Sequence, residues 1–256
     1  MEAATVTKAL RRVEVTRYVT PLREGGSLPG LVEADDLGLY VCKFRGAGQG
    51  PRALAAEVVA GELARALGLL VPDLVVAELD PMLGKAEPDP EIRELVEASP
   101  GANLGVDFLP GALPYVPGAG WEPTPELAAD VVWLDALLTN VDRTAQNPNL
   151  LIWHDRLWLI DHGAALYLQH AGLRPELAER PFAQIAAHVL LPRAGAITEA
   201  HERLAGRVDA ALLSEVVAMV PVEWWAGADP AVYAEYLSRR LGGPFAEEAE
   251  RVRTGA

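Results

Sequence analysis

The chain has 256 residues, half of them hydrophobic and 23% charged, the composition of a folded domain rather than a disordered segment. Its 36 acidic residues outnumber 22 Lys and Arg and leave a formal charge of −14. That balance argues against a general nucleic-acid binder and against attraction to an anionic membrane surface, and no stretch reaches the ~18 uninterrupted apolar residues of a membrane span.

A single cysteine, Cys42, excludes a disulfide framework within the chain. With Met1–Glu14 polar and lacking the apolar core of a signal peptide, the expected compartment is the cytoplasm.

Taken in order, residues 13–19 alternate and are rich in β-branched side chains, which predicts a strand. The turn composition of 23–30 leads to a second strand over 31–35. The turn at 36–38 leads to a third over 39–44, giving an antiparallel meander. Apolar spacing and propensity predict a helix over 53–67, ended by Gly68. A fourth strand follows at 74–79, a short charged helix near 91–97, and a strand over 104–109.

Prolines 110, 114, 117, 123 and 125 mark residues 110–125 as a linker. Beyond it a helix is expected over 126–138, short strands at 150–153 and 157–160, and helices near 181–191, 207–219, 230–240 and 245–252. The predicted class is α+β with two lobes. The boundaries are a β-rich lobe over 1–109, the linker over 110–125, and a helical lobe over 126–256.

Most of the chemistry is concentrated in one segment. Asp142 sits in a polar loop between a helix and a strand. Asn147 follows it by five residues and Asn149 by seven. Two apolar strands flank the turn at 154–156, and the second runs into Asp161-His162-Gly163. A hairpin of that size brings Asp142 and Asp161 to the same end. One carboxylate can then orient or deprotonate a hydroxyl. The other, with an Asn amide oxygen, can hold Mg²⁺, a hard ion that prefers oxygen ligands. Phosphoryl transfer needs this combination of positioning and charge neutralisation.

Here the sequence resembles the protein kinase-like superfamily. The Asp142-to-Asn147 spacing matches the catalytic-loop pattern, and Asp161-His-Gly stands where Asp-Phe-Gly would stand. Asn140-Val-Asp142-Arg143 is closest to the HipA-like serine/threonine kinases and the phosphatidylinositol kinase-like branch. The resemblance covers roughly residues 15–170. It implies an ATP- and Mg²⁺-dependent phosphotransferase acting on a Ser or Thr hydroxyl of a protein, the chain's own included. A small-molecule acceptor, or a nucleotide-binding pseudokinase that serves as a partner-binding module, remain the alternatives.

The resemblance also assigns roles. Lys43, mid-strand, contacts the nucleotide phosphates. Glu57 on the following helix orients it, with Glu62 the second candidate. Asp142 acts on the acceptor hydroxyl and Arg143 neutralises phosphate charge. Asp161 with Asn147 or Asn149 holds the metal.

Gly25, Gly26 and Ser27 occupy the place of a phosphate-covering loop, where backbone N–H groups approach without hindrance from a Cβ. Val106, Asp107 and Phe108 take the hinge position, where backbone groups meet adenine. A second glycine loop, Gly46–Gly50, is read as a connector. Trp224 and Trp225 are read as helix packing or a partner-facing patch. No Gly-x-Ser-x-Gly elbow or zinc-ligand spacing is visible.

Overall fold

A computed structural model of the chain describes residues 9–22 and 28–255. The first three strands are β1 (Arg11–Pro21), β2 (Gly30–Ala34) and β3 (Leu39–Lys43), and they form the expected antiparallel meander. Two further strands, β4 (Leu74–Leu79) and β5 (Gly101–Asp107), pair with each other, and β5 pairs with β3.

The arrangement differs from an open sheet in one respect. Residues 11–14 of β1 pair in parallel with β4, while 15–21 pair with β2. The five strands therefore close into a barrel in the order β1-β2-β3-β5-β4. Two register shifts in β1, at Val15/Arg17 and Tyr18/Thr20, explain how one strand serves both neighbours: irregularities of this kind bend and twist a strand.

Strand alternation then sorts side chains. Val32, Tyr40 and Cys42 point into the barrel with Val13, Val75 and Phe44. Helix α2 (Pro90–Glu97) adds Ile92 and Val96 to this core, and Asp89 caps its start. Val41 and Lys43, of opposite parity, lie on the outer face.

Against that face lies helix α1 (Pro51–Ala66). It is built from Ala, Val and Leu and is buried over most of its circumference. Gly61 lets it approach β4: a Cβ there would stand 2.9 Å from Leu74 Cδ1. The other side of α1 packs on the C-terminal half. Arg52 donates to the carbonyls of Gln169, Trp225 and Ala226, and Trp224 donates its indole N–H to Ala102 O at 3.1 Å. Trp224 and Trp225 are buried and serve packing.

Residues 110–125, expected as a linker, carry a strand. Leu113–Pro114 form strand β6, which pairs with β7 (Leu150–Trp153), and β7 pairs with β8 (Arg156–Leu159). Helix α3 (Pro125–Leu138) is capped by the Thr124 side chain and is almost wholly buried.

The helix expected near 181–191 is absent. Residues 183–187 and 191–193 are short 3₁₀ turns, and between them His188 bridges Thr144 and Val189 N–H donates to Arg143 O at 3.0 Å, so this backbone pairs with the Asp142 loop rather than with itself. Helix α4 (Ile197–Leu204), which was not anticipated, follows. Helices α5 (Ala210–Ala218), α6 (Pro230–Leu241) and α7 (Phe245–Thr254) fall close to expectation. No helix of the described residues is long and apolar enough to cross a membrane.

Candidate active site

Lys43 comes from β3, Glu57 from the middle of α1, and Asp161 from just beyond β8. The Lys43 ammonium donates to Glu57 Oε1 and, at 2.7 Å, to Asp161 Oδ1. The second Glu57 oxygen accepts the backbone N–H of His162 at 2.8 Å. Glu57 therefore orients Lys43 with one oxygen and fixes the Asp161-His162 backbone with the other.

Gly163 completes the fit, since a Cβ there would lie 3.1 Å from Glu57 Oε1. Asp161 sits in left-handed backbone (φ 53), held by its neighbours. Glu62, the second candidate, pairs instead with Arg65 at 3.3 Å.

The electrostatics follow from two carboxylates sharing one ammonium. Burial alone would raise Glu57, but the Lys43 charge and the contact with His162 overcome it and hold Glu57 below the usual carboxylate range. Burial opposes charge on Lys43, and its two carboxylate neighbours outweigh this and raise its pKa. Asp161 is raised by burial. Lys43 pulls it back and Glu57 pushes it further up.

The pocket at these three residues is also lined by Ala47, Gln49 and Gly50. The second glycine loop thus borders the site and is more than a connector. Its sequence signal was the glycine density beside a strand lysine.

Asp142 is presented by a tightly bonded loop. Helix α3 ends at Thr139 in left-handed conformation, and Asn140 turns back to bond Asp135 with its backbone and side-chain N–H groups, both at 2.9 Å. Asn140 Oδ1 then accepts the Asp142 N–H at 3.2 Å. The Asp142 carboxylate receives the amide groups of Asn147 at 2.8 Å and Asn149 at 3.3 Å.

The two asparagines differ in setting. Asn147 is exposed. Asn149 is buried at the root of β7, and its carbonyl accepts Ile160 N–H at 3.1 Å, one residue before Asp161.

Arg143 does not meet the expectation placed on it. Its side chain has no exposure, so it offers no group to a phosphate arriving from solvent. It donates to Asp135 Oδ2 at 2.6 Å, to Asn149 O, and to Ile160 O at 3.3 Å. It thus ties the Asp142 loop to the residue before β7 and to the residue after β8.

His188 completes this cluster. Its Nδ1 accepts Leu190 N–H at 3.1 Å, so the proton sits on Nε2, which donates to Asp135 Oδ2 at 2.9 Å. Burial lowers the His188 pKa despite Asp135 and keeps the ring neutral. Burial would raise Asp135, but Arg143 and His188 reverse this and hold it well below the usual range. Sequence reading missed both residues. Asp135 was detectable as the single charge within the apolar run 131–138; His188 had no local signal.

The hinge-position residues are only partly free. Val106 lies opposite Val41 in β3. The N–H groups of Asp107 and Phe108 already donate to Asp73 O at 2.8 Å and Leu39 O at 2.9 Å, so these two donors are spent on the barrel. Gly25, Gly26 and Ser27 lie outside the described residues.

A family model of HipA-like kinases matches residues 14–240 of the chain. No curated protein sequence matches it. Among solved structures, the chain is similar to the Helicobacter pylori proinflammatory kinase CtkA, with 13% identity, a TM-score of 0.57, and coverage of 96% of this chain and 98% of that one. It also aligns with the Golgi casein kinase at 13% identity and a TM-score of 0.48, covering 97% of this chain and 72% of the other. At such identities the likeness to CtkA concerns the fold.

Proposed function

The chain belongs to the HipA-like kinase family, and we propose that it transfers the γ-phosphate of ATP to a Ser or Thr hydroxyl of a protein, with Mg²⁺ as cofactor. The observation that carries this reading is the ion pair of Lys43 with Glu57 and Asp161, because it joins barrel, helix and hairpin at one point.

In this reading residues 1–109 form the nucleotide-binding lobe and 126–256 the acceptor lobe. Lys43 holds the nucleotide phosphates, and Gly25, Gly26 and Ser27 cover them. The Val106–Phe108 segment borders adenine.

The oxygen donors fit a hard divalent ion. Asp161 is a carboxylate already placed beside a phosphate-binding lysine, and Asn149 is a neutral amide rooted in the strand adjoining it. Asn149 is the better candidate of the two asparagines, because Arg143 and Ile160 fix its backbone whereas Asn147 is exposed. Bound there, Mg²⁺ would neutralise charge on the transferred group.

Asp142 accepts the proton of the acceptor hydroxyl as its oxygen bonds to the γ-phosphorus and ADP departs. The amide groups of Asn147 and Asn149 keep the carboxylate aimed. Arg143 acts through position: it holds the loop and the strands in register.

The test is transfer from γ-labelled ATP to the chain itself and to a panel of Ser/Thr peptides, read by phosphopeptide mapping. Labelled Ser or Thr that disappears in Asp142→Asn supports the reading. Activity untouched by that substitution overturns it, and label found only on small molecules would assign the acceptor to that class instead.

A further inference from the structure

A second cavity, of about 270 Å³, shares no lining residue with the Lys43 pocket. Its walls come from the end of α1 and the chain after it (Arg65, Asp73), from the end of β5 and beyond (Asp107, Leu109), and from the β7–β8 hairpin (Trp153, Trp158). The two indoles meet edge to face, with centroids 5.3 Å apart. Their N–H groups are spent on backbone, Trp153 on Pro110 O at 3.0 Å and Trp158 on Trp153 O at 3.3 Å. What they offer the cavity is aromatic surface.

The charges around it are unbalanced. Arg65 is fully engaged: it donates to Val71 O and Asp73 Oδ1 at 3.1 Å and to Pro72 O at 2.9 Å, and it stands 3.3 Å from Glu62. The Arg11 guanidinium, on β1, is taken by Asp36 and Tyr40. The Asp107 carboxylate, half-buried, has no hydrogen bond or ion pair among the described residues. Burial and the nearby Asp73 raise the Asp107 pKa, and Arg11 offsets only part of this.

We propose that this cavity receives a Lys or Arg side chain of a protein partner, with its cationic head at Asp107 and its methylene stem against Trp153 and Trp158. The volume lies below the ~300–1,000 Å³ of small-molecule sites and suits a single side chain. A carboxylate beside indole rings satisfies both halves of such a side chain, by charge pairing and by cation–π and apolar contact. The net charge of −14 draws basic partners towards the chain.

The experiment uses the full chain labelled with 5-fluorotryptophan. The six tryptophan signals are resolved by fluorine NMR, with Trp153 and Trp158 assigned by single Phe substitutions. The probes are N-acetyl-arginine amide and N-acetyl-citrulline amide, which match in shape and differ in charge. The arginine probe is expected to shift the Trp153 and Trp158 signals saturably and the citrulline probe to leave them in place. Asp107→Asn should weaken the arginine response by about tenfold or more. Equal responses to both probes, or shifts spread over all six signals, overturn the proposal. Should Asp107→Asn fail to fold, the arginine–citrulline contrast in the unmodified chain decides alone. No nucleotide enters the measurement, so its failure and that of the kinase reading are separately visible.

Discussion

Arg143 donates its Nε–H to Asp135 Oδ2 at 2.6 Å, and neither side chain has any exposure to solvent. The Asp142 loop is therefore anchored from below by a buried ion pair, while Asp142 itself stays partly exposed. Such a pair is costly to assemble, and removing one member leaves a charge stranded in the interior. Asp135→Asn and Arg143→Met should each destabilise the fold by about 3–5 kcal/mol. In a chain of this size that lowers the melting temperature by roughly 6–20 °C, measurable by calorimetry. A drop of under a degree in either variant would show that the pair holds nothing.

Asp142 and Asp161 differ in their contacts, and the proposed function gives them different roles. Asp142 touches only amide donors of its own loop, whereas Asp161 touches Lys43. Asp142→Asn should preserve Mg²⁺-dependent stabilisation by ATP and reduce phosphate transfer by about 10²–10⁴-fold. Asp161→Asn should abolish the stabilisation itself, which for the unmodified chain at ~100 times Kd is about 2.7 kcal/mol. Thermal unfolding with ATP, with and without Mg²⁺, distinguishes the two. Identical behaviour of both variants would contradict the division of labour.

The shared ammonium makes Lys43 a stability determinant whose loss depends on pH. Glu57 is held below its ordinary value of 4.5 in the fold, so its contribution is complete above that pH and drains away as pH falls further. Lys43→Met removes the cause of that depression and leaves a buried carboxylate whose protonated form is favoured. The variant should lose about 3–5 kcal/mol at pH 7 and recover part of it on acidification towards pH 5. Urea unfolding across that range reads the sign directly. A deficit that stays constant with pH would mean that Glu57 does not depend on Lys43.

How much of this was legible beforehand depended on whether the signal was local. Asp142 and Asp161 stood out by spacing at the ends of a recognisable hairpin, whereas Lys43 in its alternating strand and Glu57 fourteen residues on were singled out by the resemblance, and the structure brings Lys43, Glu57 and Asp161 together. Barrel closure was invisible because it rests on β1 changing partners midway, and a parallel contact between residues 11–14 and 75–78 leaves no mark in either segment. Arg143 was misjudged for a related reason. A charged residue beside a catalytic Asp suggests phosphate, and only the fold shows Asp135 and His188 closing around it. The helix expected near 181–191 failed because its backbone bonds to the distant Asp142 loop, at Thr144 and Arg143, a pairing that local apolar content does not reveal.

Cys42 offers a direct probe of the closed barrel. It is fully buried beside Lys43 but on the opposite face of β3, and burial pushes its thiol up to about 12 from an ordinary 9. At pH 8 that shift alone cuts the reactive thiolate by about 10³-fold. Iodoacetamide should therefore label the folded chain at least about 10³-fold more slowly than the urea-unfolded chain. The linkage has a definite sign: the folded state keeps a proton that the unfolded state loses above pH 9, so stability should fall from pH 9 towards 12. Cys42→Ala removes the titrating group, and the alkaline decline attributable to it should vanish in that variant. Rapid labelling at neutral pH would show that the β1–β4 seam opens readily, since closure at that seam keeps water from the barrel interior where Cys42 lies.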